Sequence, residues 1–177
     1  FVAIENGIIG GVQQLIALPM GIGSFLMGGL YSATVVAGVH HMYTVIDVGQ
    51  LGMYGVTYWL PLASAANIAQ GAATLAVALK TKNQRTKSMA VPSAMSCFMG
   101  ITEPAIFGVN LKKGFPFVCG MIGSALAGIV CVATGTTANA IGVGGLPGIL
   151  SIKPEFMGSF ALCMVIAVAV PLALTMI

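Results

Sequence analysis

The sequence predicts an all-α protein, a polytopic transmembrane helix bundle with re-entrant hairpins. Three observations carry that expectation. Of the 177 residues, 58% are hydrophobic and only 6% are charged, with a mean hydropathy of +1.01, whereas soluble domains carry about 25% charged residues. The few charges divide the chain into apolar runs, of which 6–46, 48–79, 114–152 and 156–177 can each hold a helix of about 20 residues across a bilayer, while 88–102 and 104–111 are shorter and flank Glu103. Two of those runs are interrupted by Gly and Pro where a spanning helix would need continuity. The composition excludes a soluble enzyme and a disordered segment. The net charge of +3 is too small, and its carriers too local, for nucleic-acid binding.

Residues 6–46 contain no Asp, Glu, Lys or Arg, and Leu18-Pro19-Met20-Gly21 divides them. This predicts a helix over 3–17 and a spanning helix over 21–38. Gly7-xxx-Gly11 and Ser124-xxx-Gly128 have the small-residue spacing that lets helix backbones approach closely in lipid. The charge-free run 48–79 predicts a helix over 55–79, with Pro61 in its first turns, where a missing N–H is tolerated. Residues 80–87 hold four of the seven basic residues, and short Lys/Arg-rich loops stay cytoplasmic.

Residues 88–111 are followed by Lys112-Lys113. A single span would put that pair on the opposite side from residues 80–87, against the charge rule. A re-entrant hairpin keeps both clusters on one face, with Gly100-Ile101-Thr102-Glu103-Pro104 at its tip. Pro104 is expected to stop the helix and bias Glu103 away from α geometry. Non-helical backbone at that depth must line a cavity or pack inside protein. Residues 114–135 predict another span, Gly135–Pro147 a second loop or hairpin, and 156–177 a last span kinked at Pro171. Two broken segments in a small bundle suit a transporter with a midplane site. Cys97, Cys119, Cys131 and Cys163 lie in apolar runs without metal-binding spacing and read as small core residues. With no initiating Met and no signal-peptide pattern, the chain is expected to lie inside a longer polypeptide.

Polar residues in such surroundings usually face a cavity or a partner. Glu103 at the broken tip is the first candidate, and His40 beside Gly38 the second. A His40-His41 pair could hold a metal, but adjacent residues are expected to point apart with no third ligand close by, so substrate or proton chemistry is favoured. Asp47 falls in an expected loop, where solvation or capping accounts for it equally well. Asn67 and Gln70 share a helix face with Ser64 and Thr74, suited to a hydroxyl-rich ligand or to helix–helix bonds. Trp59 reads as an interfacial anchor or a platform for a sugar ring.

The stretch from Gly100 through Thr102, Glu103 and Pro104 to Phe107-Gly108-Val109-Asn110-Leu111 resembles the signature of a known family. It is that of the IIC sugar permeases of the phosphoenolpyruvate-dependent phosphotransferase system, glucose superfamily. Gly38-Val39-His40-His41 resembles the same family's histidine motif. Residues 40–47 and 58–71 look most like the sucrose-specific members, with trehalose and β-glucoside permeases next. The resemblance implies that residues 1–177 are the C-terminal part of the IIC transmembrane domain. It also implies uptake of a disaccharide, sucrose first, with phosphate arriving from a cysteine of a IIB domain that this chain does not contain. Glu103 and His40 would hold the accepting hydroxyl, Glu103 as proton acceptor. His41, Gln70, Asn67, Thr102, Asn110 and Asp47 would contact the sugar. The implied partners are the disaccharide, phosphorylated IIB, membrane lipid and a second copy in a homodimer, in the bacterial inner membrane. No cofactor or metal is expected. The alternatives are a transporter or channel that does not phosphorylate its cargo, with Glu103 as a cation or proton site, and a purely structural subunit.

Overall fold

A computed structural model describes Gly7, Gly10, Gly11, Gln14 and residues 21–177. Apart from those first four residues, the helix expected over 3–17 and the Leu18-Pro19-Met20 break lie outside the described residues. The elements run α1 (Ile22–Val36), a 3₁₀ turn (Val39–Met42), α2 (Tyr43–Tyr54), α3 (Trp59–Lys80) and α4 (Gln84–Phe98). A helical stretch over 103–113, α5, has a π turn at its centre (Ile106–Asn110). Then come α6 (Phe115–Ala133), 3₁₀ turns at Leu146–Ser151 and Pro154–Phe156, and α7 (Met157–Met176). Among the described residues there is no strand. Isolated bridges join Thr57 to Ala138 and Ala138 to Ile152.

Trp59–Lys80, Phe115–Ala133 and Pro154–Met176 are long and apolar enough to cross a membrane. Of these, α3 is the centre of the bundle, packed against α1, α4, α6 and α7. Its Ala65, Ile68, Ala69, Ala72, Ala73 and Ala76 are fully buried, since small side chains let four neighbours come close at once. The expected Ser124-xxx-Gly128 seam is real. A Cβ on Gly28 would lie 2.7 Å from the Ser124 carbonyl oxygen, and one on Gly128 2.8 Å from that of Ser24. Ser124 Oγ also donates to the Gly28 carbonyl at 2.7 Å. The four cysteines are free and buried, as their apolar context predicts.

The hairpin is present. At about 1.5 Å per residue, the 15 residues of α4 rise about 22 Å, short of the roughly 30 Å of a hydrocarbon core. The chain turns at Gly100 (φ 98°) and returns through α5. Lys80 and Thr81 before the hairpin line one cavity together with Lys113 after it, so both basic clusters lie at the same end. The second broken segment folds back onto the tip. A Cβ on Gly100 would lie 2.7 Å from the Gly144 carbonyl oxygen, and one on Gly145 (φ 77°) 2.3 Å from that of Phe98.

Two local expectations are corrected. Pro104 does not push Glu103 out of helical geometry, for the two open α5 together. A proline in the first turn removes only an N–H that lacks an intrahelical acceptor anyway, so the break falls at Gly100 instead. Asp47 is not in a loop but buried within α2. Its carboxylate is used internally, accepting from the Thr57 hydroxyl at 2.5 Å.

Candidate functional site

The site forms where two chain reversals meet. After α1, Gly38 (φ 76°) turns the backbone into the Val39–Met42 3₁₀ turn, which carries His40 and His41. The hairpin tip carries Glu103 at the start of α5. Although 63 positions apart in sequence, His40 Nε2 and Glu103 Oε1 lie 3.1 Å apart. The His40 side chain is 14% exposed and that of Glu103 43% exposed. The pair is therefore anchored in protein on the histidine side and open on the carboxylate side.

His41 does not point away. Its ring lies 4.0 Å from that of His40, centroid to centroid, at 38°. Ligand atoms of His40, His41 and Glu103 all fall within 4.8 Å of one another. This overturns the expectation of diverging histidines without a third ligand. The tight turn after Gly38 brings the rings together, and the third group arrives from a segment distant in sequence. By donor chemistry these three residues could hold a divalent transition ion.

His40 Nδ1 is buried without a hydrogen-bond partner. When Nε2–H donates to the carboxylate, Nδ1 is an acceptor with nothing to accept. The pair thus keeps hydrogen-bonding capacity that the fold does not use. Thr102, buried and immediately before Glu103, closes the first turn of α5 by accepting the Ile106 N–H at 2.9 Å.

The remaining predicted residues lie in other groupings. Asn110 in the π turn donates through Nδ2 to the Gln70 side-chain oxygen at 2.7 Å and to the Gln70 carbonyl at 3.0 Å. Thr74 Oγ1 lies 2.9 Å from both Asn110 Oδ1 and the Gln70 carbonyl. Gln70 Nε2 donates to the Phe117 carbonyl at 3.2 Å. Gln70 and Asn110 are fully buried, and they bond to one another and to the backbone rather than to His40 or Glu103. Asn67 faces the second broken segment, its amide nitrogen 2.5 Å from where a Cβ on Gly144 would sit.

Asp47 belongs to a network at the α2–α3 junction. Gln50 Oε1 accepts the Tyr58 N–H at 2.9 Å and lies 3.0 Å from Thr57 Oγ1. Asp47 is outside the three long apolar helices. Burial raises its pKa to about 6, against the lowering effect of hydrogen bonds from Thr57 and Leu60. Trp59 is neither an anchor at an interface nor an open platform. It is 3% exposed and packs against Tyr43 and Tyr31 at centroid distances of 4.4 and 6.0 Å. The aromatic cluster lies on α1, α2 and α3, and neither periodicity nor spacing pointed to it.

A family model described as "Phosphotransferase system, EIIC" matches residues 1–124. That span includes both His40 and Glu103. The chain belongs to the EIIC family of the phosphotransferase system. It is 46% identical to the trehalose-specific EIIBC component of Escherichia coli (strain K12), over 87% of this chain and 33% of that protein. It is 41% identical to the trehalose-specific EIIBC component of Bacillus subtilis (strain 168), over 97% of this chain and 37% of the relative. The sucrose-specific EIIBC component of the same organism is 47% identical over 75% of this chain and 29% of its own length. This EIIC chain therefore spans about a third of the curated relatives it matches. No solved structure matches it.

Proposed function

We propose that the chain is the sugar-translocating part of a phosphoenolpyruvate-dependent permease in the bacterial inner membrane. It takes up a disaccharide that is phosphorylated on entry by a IIB domain outside this chain. The observation that carries this reading is the His40–Glu103 pair, 3.1 Å apart and half-open at the hairpin tip, in a chain of the EIIC family. A sugar hydroxyl attacks the phosphorus of the IIB phosphocysteine. The O–P bond forms as the S–P bond breaks, the thiolate leaves, and the hydroxyl proton passes to the Glu103 carboxylate. His40 holds Glu103 and the hydroxyl in line. Phosphoryl transfer depends mainly on such positioning. His41 and Thr102, adjacent to the pair, border the sugar. Gln70 and Asn110 act at one remove by fixing α5 to α3.

Relatives named for trehalose and for sucrose both match over most of the chain, so the substrate is a disaccharide of this type. The test is transport by the full-length protein in inverted vesicles supplied with phosphorylated IIB, with sucrose and trehalose in competition. Sugar phosphate is expected inside the assay only when phospho-IIB is present. Uptake driven by a proton gradient, with no sugar phosphate formed, would replace this reading by a transporter in which Glu103 is a proton site.

A further inference from the structure

One cavity lies away from the His40–Glu103 pair. It lies where the ends of the three long apolar helices converge, lined by Val77, Lys80, Thr81, Lys113, Phe115, Pro116 and Thr175, with a volume of about 360 Å³. It therefore sits at a membrane–water boundary, at the end that carries both basic clusters, which the charge rule assigns to the cytoplasm. We propose that this cavity binds a phosphate-bearing anion, the headgroup of an anionic phospholipid.

Four features support the assignment. Lys80 and Lys113 come from different segments yet face one cavity, and among the described residues neither makes an ion pair, the only bridge being His40–Glu103. Thr175, 4% exposed, lines the same cavity, and its hydroxyl is buried without a partner. A buried hydroxyl left unsatisfied is destabilising, and a phosphate oxygen would accept from it. The first turn of α6, at Phe115 and Pro116, opens on the cavity, where its positive end, with the two lysines, offsets the negative C-terminal ends of α3 and α7 that also border it. Val77 and Phe115 supply apolar wall beside the lysines, as a headgroup continuing into acyl chain requires. Basic pockets between membrane helices at the cytoplasmic face are suited to such headgroups.

The same chemistry could come from a soluble phosphate ester, and the test separates the two sources. Full-length protein is placed in nanodiscs of phosphatidylcholine with increasing phosphatidylglycerol, and lipid retention is read by native mass spectrometry alongside thermal unfolding. Phosphatidylglycerol should be retained selectively and raise the unfolding temperature. A K80Q/K113Q double variant should weaken retention about 25-fold, taking each lysine as roughly fivefold. Thr175→Val keeps the packing volume and should weaken it a few-fold. A K82Q/K87Q variant, altering basic residues that do not line the cavity, should change little. Protection by millimolar inorganic phosphate in pure phosphatidylcholine, abolished in K80Q/K113Q, would keep the anion site and assign it to a soluble phosphate. Equal retention of both lipids with no effect of phosphate, or equal losses in K82Q/K87Q and K80Q/K113Q, would overturn the proposal.

Discussion

Two of the polar clusters in this apolar chain are built on opposite principles. The Gln70–Thr74–Asn110 cluster is closed. Asn110 donates to the Gln70 side-chain oxygen and carbonyl, Gln70 donates to the Phe117 carbonyl, Asn110 Oδ1 lies 2.9 Å from the Thr74 hydroxyl, and both amides are buried. The His40–Glu103 cluster is open, with a carboxylate 43% exposed and an imidazole nitrogen without a partner. A satisfied network fixes structure, because every group it buries is compensated. A partly exposed one with a free acceptor keeps hydrogen-bonding capacity that the fold does not use. Both clusters sit on the same helical stretch, since Glu103 opens α5 and Asn110 ends its π turn. The closed cluster clamps one end of the segment so that the open one can be held steady at the other. π turns are frequent at functional sites, and here one joins the clamp to the acid.

The sharpest break of this comparison is Glu103→Gln. It removes the proton acceptor while keeping shape and one hydrogen bond to His40. Sugar-phosphate formation should fall by about 10²–10⁴-fold, the usual size of a general-base contribution, with the unfolding temperature nearly unchanged. Near-normal phosphorylation in vesicles would remove Glu103 from its role. Next in size is Gly145→Ala. The added methyl would meet the Phe98 carbonyl oxygen at 2.3 Å at a residue with φ 77°, displacing the hairpin tip. A shift of about 1 Å in a reacting group can cost about a hundredfold, so a ten- to hundredfold loss is expected, together with some stability. An activity loss without any change in sugar affinity or unfolding temperature would argue against displacement. The closed cluster should respond in the reverse sense. Asn110→Leu leaves the Gln70 side-chain oxygen without its donor, costing about 1–3 kcal/mol. Thermal unfolding should fall by roughly 5 °C, and the residual activity of folded protein should fall less than in Glu103→Gln. A thermally silent Asn110→Leu that abolished sugar binding would show that Asn110 touches the sugar directly.

The hairpin was legible in the sequence because charge and backbone chemistry agreed. Lys80–Lys87 and Lys112-Lys113 had to share a face, and Gly100 with Pro104 had to interrupt the run between them. The spans over Trp59–Lys80, Phe115–Ala133 and Met157–Met176 followed from the charge-free runs. The distinction between the two polar clusters was not legible. Asn110 and Gln70 have the same composition signature whether they face a cavity or each other, and their mutual hydrogen bond appears only once the fold closes the 40 positions between them. The His40–His41 stack depends on a turn following a left-handed Gly38, which periodicity does not report. In the sequence Lys80 and Lys113 mark only basic clusters, and Thr175 carries no signal of its own. Their common cavity exists only because three helix ends meet, although the hairpin topology could have paired the two lysines in advance.

The smallest expected effect concerns a third polar group, intermediate between the closed and open clusters. Asp47 is buried and bonded to Thr57, yet it is an acid whose pKa is raised from 3.8 to about 6. The folded state therefore holds the proton more tightly than the unfolded chain does. Between those two values the folded protein binds more protons, so the contribution of this group to stability declines as pH rises and is lowest above pH 6. Asp47→Asn keeps an acceptor for the Thr57 hydroxyl without the burial penalty of a charge. Relative to the native chain, the variant should gain unfolding temperature between pH 5 and pH 7.5, by a few degrees at most. Parallel curves would show that Asp47 stays ionised throughout. A variant that ran parallel but lower across that range would show that the carboxylate is held by its hydrogen bonds, which would place Asp47 with the closed cluster.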